Sequence, residues 1–399
     1  MSRPRRLGTS LVVGALVAGA TSGHLLYPAW LAWRTRGGRG RPTESPGDVS
    51  PTAPDASPRL TVLVPAFREA GVIAAKVDDL RANGYPGPLE ILVVADGDPE
   101  TADAAERPGA RVLTGEERLG KSRALNWGFA ETDTPIVVLS DANNRLAPGA
   151  LALMVEHFAD PQVGAVAGEK LEDDGGGGES MYWRFESWLK RREDRLGTTI
   201  GLIGELSAIR AEAWRPIPGD VAIDDLWAGL DIIEQGYRVA YEPAARALEP
   251  AGASLADQWE RRTRNVSGAL HVLVRRRRQL RPSAGLVAAE LWGHRLARFT
   301  VSPLAHLALL ALSANKMRSS ALARAFLLAN ALACVGLVAG SRVAEAPAQD
   351  ASSGSSPRRL LLVAFTGSGQ VMFLQAVALG GMARYARGDR PTMWSTVER

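Results

Sequence analysis

Hydrophobic positions along the chain fall into three regimes. From Leu7 to Trp33 there is no Asp, Glu, Lys or Arg, and arginines stand on both sides, at Arg3, Arg5, Arg6 and at Arg34 and Arg36. At about 1.5 Å per residue a helix of this length crosses a hydrocarbon core roughly 30 Å thick. A membrane anchor over residues 1–34 is the expectation; the rival, a cleaved signal peptide, has an apolar stretch of only about 7–15 residues. Residues 35–58 are rich in Gly, Pro and Ser (GGRGRPTESPGDVSPTAPDASP from Gly37) and read as a mobile linker.

From Leu60 short apolar runs alternate with amphipathic stretches: LTVLVPA, a helical pattern near 69–83, LEILVVAD, a helix over 121–131, and a strand over 135–140. This alternation predicts a parallel, doubly wound sheet in an α/β domain spanning 59–281. Further strands are expected at Ala165–Glu169 and Gly201–Arg210, a flexible loop at Gly175–Gly178, and a helix from Met181 to about Leu196. After the basic run Arg275–Arg278 the chain turns apolar again. The region 282–385 holds candidate spans at 296–314, 320–341 and 359–383, so two or three transmembrane helices are expected before a polar tail at 386–399. The first is short and contains Pro303 and His306, which leaves an interfacial position open.

Composition narrows the function. The chain has 399 residues and a net charge of +4, too mild for a nucleic-acid partner, and much of the excess is arginine beside the apolar stretches, as suits anionic headgroups. The single Cys334 forbids an intramolecular disulfide, and the five histidines lack metal-ligand spacing.

The candidate chemistry is carried by carboxylates at strand ends. In PIVVLSDANN an apolar strand ends on Asp141, where open α/β sheets bind ligands. Asp141 and Asn143 offer two hard oxygen ligands to a divalent cation on one short turn; an Asx turn that merely ends the strand is the plain alternative. Asp96, at the end of the second strand, can accept the imide N–H of a uracil ring. Glu69 opens a helix, where a carboxylate also suits the dipole. Lys121 starts a helix after Gly120, so its ammonium and nearby amides can neutralise a diphosphate. Asp224 and Asp225 are adjacent carboxylates with no Lys or Arg close in sequence; their repulsion raises at least one pKa and favours a general base near neutral pH. Gln258 and Arg261 share one face if their segment is helical. Trp183, Trp188, Trp214 and Trp227 suit core or membrane-interface packing better than sugar stacking.

Residues 60–280 resemble a family 2 glycosyltransferase, the inverting GT-A class that includes cellulose, chitin and poly-N-acetylglucosamine synthases. The resemblance rests on VLVPAFREAGVI, VVADGDPETAD (Asp98 stands where serine is usual), GKSRALNWG, LSDANN, IDDLWAGLDIIEQGYRVAYEP and QWERR, where Arg262 replaces the tryptophan of Q-x-x-R-W. It implies a GT-A catalytic domain with flanking transmembrane helices. Pro65, Glu69, Asp96, Lys121 and Asp141 would bind a nucleotide-sugar donor, UDP-linked as the resemblance implies, with Mg²⁺ or Mn²⁺ at Asp141 and Asn143. Asp225, beside Asp224, would take the acceptor proton, and Gln258, Arg261 and Arg262 would line the acceptor and diphosphate. The acceptor would be a glycan or lipid-linked glycan, with membrane lipid and other polysaccharide-synthesis proteins as further partners. Arg262 removes a sugar-stacking ring, which puts processivity in question. Nucleotide sugars are cytosolic, so the resemblance implies a multi-pass inner-membrane protein with its catalytic domain and C-terminus inside and its N-terminus outside; segment 296–314 is the expected non-spanning one. A non-catalytic nucleotide- or glycan-binding scaffold and a secreted binding protein are the other classes.

Overall fold

The computed structural model of the protein describes residues 3–36, 57–172, 178–249, 255–344 and 357–389. Most of the Gly/Pro linker, residues 175–177 of the glycine run, much of the 342–358 loop and the last ten residues lie outside that set.

The eight strands are β1 (Leu60–Ala66), β2 (Leu89–Ala95), β3 (Ala110–Thr114), β4 (Ile136–Leu139), β5 (Arg145–Leu146), β6 (Val163–Glu172), β7 (Ser207–Arg210) and β8 (Arg238–Glu249). They form one sheet in the order β3-β2-β1-β4-β7-β6-β8-β5. The parallel expectation holds for β3-β2-β1-β4 and for β6-β8. It fails at β7, which runs antiparallel to both β4 and β6, and at β5 against β8, so the sheet is mixed. The strand expected over 201–210 is confined to Ser207–Arg210. Residues 200–206 form a loop instead, closed where Ser207 Oγ donates to Ile203 O (2.7 Å) and accepts from Ile203 N (3.0 Å).

Every residue of β1 is buried, the signature of a central strand covered on both faces. The two-residue period then sorts its side chains. Leu60, Val62 and Val64 join one core, and Leu63 joins the other with Leu92, Val137 and Leu139. The helices are α1 (Arg3–Thr21), α2 (Tyr27–Arg34), α3 (Ala70–Arg81), α4 (Pro99–Ala105), α5 (Lys121–Ala130), α6 (Ala150–Glu156), α7 (Gly178–Leu196), α8 (Asp224–Glu234), α9 (Leu255–Arg275), α10 (Leu286–Glu290), α11 (Ser302–Lys316), α12 (Ala321–Ala344) and α13 (Pro357–Ala386).

Among the described residues two helices are long and apolar enough to cross a membrane, Ser10–Arg34 and Leu286–Lys316. The second contains the segment expected to be too short. It gains length because α10 runs through a π-helical stretch, Leu291–Val301, directly into α11. Pro303 stands just past that π-helical stretch, inside the continuous helix. The two long helices meet closely: a Cβ on Gly23 would stand 2.3 Å from Arg298 Cγ, and one on Gly293 2.0 Å from the Tyr27 ring. Where they reach α7, Tyr27 Oη donates to Glu193 (2.7 Å), and His294 lies 2.7 Å from Glu193 and 2.9 Å from Glu186. At the other end, the last turns of α13 pack on α9 through Phe373 and Val377 against Val266 and Leu270, with Arg384 bound to Glu260 at 2.6 Å.

Candidate active site

The parallel register brings the carboxyl ends of β1, β2 and β4 side by side, with Ala66 opposite Ala95 and Leu63 opposite Leu139. Past that edge lies a narrow cleft. Pro65, Lys121, Asp141, Asp224 and Asp225 all line it, together with Leu202, Ile203, Gly204 and Trp214. Five residues from four separate motifs thus converge on one volume.

Lys121 is delivered by the loop before it. Gly120 has φ 88°, a conformation glycine adopts without a steric penalty. Asp96, 1% exposed, fastens that loop: its Oδ1 accepts from Leu119 N (2.6 Å) and its Oδ2 from Gly120 N (2.8 Å). Asp96 therefore acts on the chain itself, which the sequence did not foretell, while each of its oxygens keeps a further lone pair. Lys121 then reaches Asp141 Oδ1 at 2.7 Å.

The turn carrying Asp141 rests on a buried scaffold. Ser140 Oγ and Asn144 Nδ2 each donate to Glu205 O at 3.0 Å, and buried Lys76 donates to Asn144 Oδ1 at 2.8 Å. Burial pulls Lys76 down to about 8, against the charges of Asp79 and Asp141. Burial pushes the Asp141 carboxyl up, opposed mainly by Lys121. Asn143 turns aside from the cleft wall: its Nδ2 donates to Glu249 Oε1 at 3.1 Å, and its Oδ1 is buried without a hydrogen bond. An orphaned buried carbonyl oxygen two residues from a carboxylate suits a hard cation. Among the described residues no cluster of three or more His, Cys, Asp or Glu is assembled. A cation here would therefore take one carboxylate, one amide oxygen and the rest of its shell from phosphate and water, the habit of Mg²⁺.

Opposite stands the acid pair at the start of α8, where two carboxylates also suit the helix dipole. Asp225 is pushed up to about 6, first by burial and then by Asp224; Arg295 pulls it down. That value suits a proton acceptor near neutral pH.

Residues 61–214 match the family model described as Glycosyl transferase family 2. Over those residues the chain is similar to the family 2 glycosyltransferases. It is 25% identical over 230 residues to the poly-β-1,6-N-acetyl-D-glucosamine synthase of Staphylococcus aureus strain MSSA476, covering 54% of this chain and 56% of that one. It is 24% identical over 233 residues to an N-acetylglucosaminyltransferase of Rhizobium meliloti strain 1021, covering 51% and 54%. The chain spans about half the length of these curated relatives. A solved mannosyltransferase, PcManGT from Pyrobaculum calidifontis in complex with GDP-Man and Mn²⁺, superposes with a TM-score of 0.70 at 24% identity, covering 94% of this chain and 99% of that one. At that identity the likeness speaks for the fold, which is GT-A, and it extends well beyond the sheet.

Not every expected site residue lies on the cleft. Glu69 caps α3, half-buried, with its N–H donating to Thr101 Oγ1 at 2.9 Å. Gln258 and Arg261 do lie on a helix, α9, but off the cleft wall. Arg262 is buried beneath the Tyr182 ring, 4.1 Å from its centroid, so it offers no platform to a sugar. Trp227 is core, and Trp214 stacks on Phe129 at 3.8 Å while lining the cleft.

The sequence reading missed the 200–206 loop. Its Glu205 binds Lys170 at 2.5 Å and is held down to about 2, chiefly by Lys170 working against burial. At Gly204 a Cβ would stand 3.1 Å from Lys121 Nζ and 3.4 Å from Asp141 Oδ2. Gly204→Ala is therefore expected to be tolerated, since the lysine tip can move. Gly204→Val should break the Lys121–Asp141 contact and weaken nucleotide binding about tenfold or more, the worth of a charge-assisted hydrogen bond. Calorimetric titration of the nucleotide checks this, and equal affinity in both variants would contradict it.

Proposed function

We propose that the protein is a membrane-bound, inverting glycosyltransferase that moves a sugar from a nucleotide-diphosphate donor to a glycan or lipid-linked acceptor. The observation that carries this reading is the single cleft lined by Lys121, Asp141, Asp224 and Asp225. The acceptor oxygen bonds to the anomeric carbon as the carbon–oxygen bond to the diphosphate breaks, its electron pair leaving with the diphosphate. The hydroxyl proton passes to Asp225. Lys121 faces the leaving charge, with Arg261 adding positive potential from α9, while Pro65, Glu69 and Asp96 shape the nucleotide side. Mg²⁺ or Mn²⁺ held by Asp141 and Asn143 would stabilise the departing diphosphate as a Lewis acid.

The base of the donor is the open choice, because Asp96 spends an amide contact on each oxygen. Purified protein assayed with a panel of UDP- and GDP-sugars, with and without Mn²⁺, should release one nucleotide only when metal is present. Release from no donor in the panel would end the enzymatic reading.

We place the catalytic domain in the cytosol, where nucleotide sugars are made, and the N-terminus outside. The packing of the end of α13 on α9 supports a C-terminus on the same side as the domain, hence an even number of crossings after Arg281. In a Cys334→Ser background, Glu106→Cys should resist an impermeant thiol reagent in intact cells and react after lysis. Labelling in intact cells would remove the donor from reach of the site.

A further inference from the structure

The turn that carries Asp141 is tied down by a ring of polar contacts that leaves it and returns to it. On the way out, Ser140 Oγ and Asn144 Nδ2 donate to the backbone oxygen of Glu205. The Glu205 side chain accepts from Lys170 Nζ at 2.5 Å, and Lys170 also pairs with Glu249. Glu249 closes the ring, because its Oε1 accepts from Asn143 Nδ2 at 3.1 Å. Lys170 is 4% exposed and Glu249 8%. A buried ammonium between two carboxylates is held firmly, since moving either acid away leaves a charge unmatched.

The sheet puts these partners in reach of one another. β5 pairs antiparallel with β8, Arg145 opposite Leu248, which brings Glu249 level with the end of the turn at Asn144. β6 runs parallel to β8, with Lys170 opposite Ala247 and Glu172 opposite Glu249. Lys170 and Glu249 therefore stand on neighbouring strands, two residues apart in register and on one face of the sheet. The ring also borders the cleft, since Gly204, next to Glu205, lines it beside Lys121 and Asp141.

The two ends of an asparagine amide have nearly the same shape, so the partner decides which end faces where. A carboxylate only accepts, and Glu249 therefore admits the N–H end of Asn143. The oxygen end is turned the other way, and among the described residues Asn143 Oδ1 is buried without a hydrogen bond. A buried acceptor left unmatched carries a cost that a ligand removes. An aspartate at this position would set acceptor against acceptor, which gives the amide a physical reason.

We propose that Glu249, locked by Lys170, is a positioning residue that orients Asn143 so that its Oδ1 is left for the divalent cation of Asp141. The inference rests on the metal-dependent reading above. Glu249 acts through the amide, as an outer-shell partner does when it orients a ligand. Glu249→Gln reverses the choice. Lys170 only donates, so it keeps the oxygen of the new side chain and leaves its N–H₂ end facing Asn143. Asn143 then turns its oxygen toward position 249 and presents Nδ2 to the cation, which an N–H₂ group cannot ligate.

The test uses the complete chain in detergent and titrates UDP and GDP calorimetrically, once with Mn²⁺ and once with chelator. The readout is the factor by which Mn²⁺ strengthens binding of whichever nucleotide binds. Glu249→Gln should cut that factor about tenfold, the usual effect of losing an outer-shell partner, and leave affinity in chelator unchanged. Asn143→Ala should cut it too, and Glu249→Gln added to Asn143→Ala should cut it no further, because Glu249 acts through that amide alone. Asn143→Asp added to Glu249→Gln again sets a donor against an acceptor, and the factor should return at least to that of wild type. A loss that persists in the Asn143→Ala background reports the missing charge alone and overturns the proposal, as does a wild-type factor in Glu249→Gln. If Glu249→Gln loses affinity even in chelator, that variant has misfolded. The pairing with Asn143→Asp, which keeps the net charge, then decides: a wild-type factor supports the proposal and a reduced one overturns it. No strengthening by Mn²⁺ in wild type is the failure of the metal-dependent reading, and the inference falls with it. Strengthening in wild type that Glu249→Gln leaves untouched sinks the inference alone.

Discussion

Asp225→Asn is expected to lower sugar transfer by about 10²–10⁴-fold while nucleotide affinity stays close to wild type. A general base contributes an amount of this order, and it acts on the acceptor, not the nucleotide. The same residue sets the acid limb of the pH profile. A base works deprotonated, so activity falls as pH drops below about 6, the value to which burial and Asp224 push Asp225. Asp224 on the same helix, Glu205 on the neighbouring loop and Arg295 on the apolar helix bear on that limb. Arg295 pulls the carboxyl down, so Arg295→Gln should move the limb to higher pH, whereas Asp224→Asn should move it lower. Rate–pH profiles of the three variants check all of this. A wild-type profile without an acid limb near 6 would remove Asp225 as the base, and greater damage from Asp224→Asn would exchange the roles within the pair.

Asp141→Asn is expected to abolish activity almost completely with unchanged expression in membranes. The substitution keeps the shape of the turn but removes the negative charge at the proposed cation site and the charge that faces Lys121 at 2.7 Å. Lys121→Gln separates these effects, because it removes the pair while leaving the carboxylate for a metal. In the wild type a chelator should stop turnover, and Mn²⁺ or Mg²⁺ should restore it. Sustained turnover in chelator would refute a metal-dependent role for this turn, whatever the Asp141→Asn result.

Much of this site was legible because its parts are local. Asp141 follows a buried strand directly, Lys121 follows the glycine that opens its helix, and Asp224 and Asp225 start an apolar helix. Each position is set by a strand end or a helix start, which short-range patterns report. The errors have a common cause as well. Gly201–Arg210 contains enough apolar residues to pass for a strand, yet where it bends is decided by hydrogen bonds from Ser207, Ser140 and Asn144. The apolar segment at 296–314 looked short because Glu290, His294 and Arg295 interrupt the run that precedes it. All three are buried or half-buried, with His294 between Glu186 and Glu193 of α7 and Arg295 beside Gly201, so polarity there marks a contact and not a helix end.

By itself the sequence determined the alternation of strand and helix, the apolar ends of the chain and the residue types of the cleft, since each follows from a period or a motif of a few residues. Tertiary structure alone decided the antiparallel insertion of β7 and the turning of Asn143 toward Glu249. It also decided the surroundings of the acid pair. In sequence Asp224 and Asp225 have no basic neighbour, but in the fold Arg295 from 70 residues onward pulls on Asp225, and Lys190 from α7 feels its charge. Charge acts through space, across whatever distance along the chain the packing has closed, and no local pattern of residues records that.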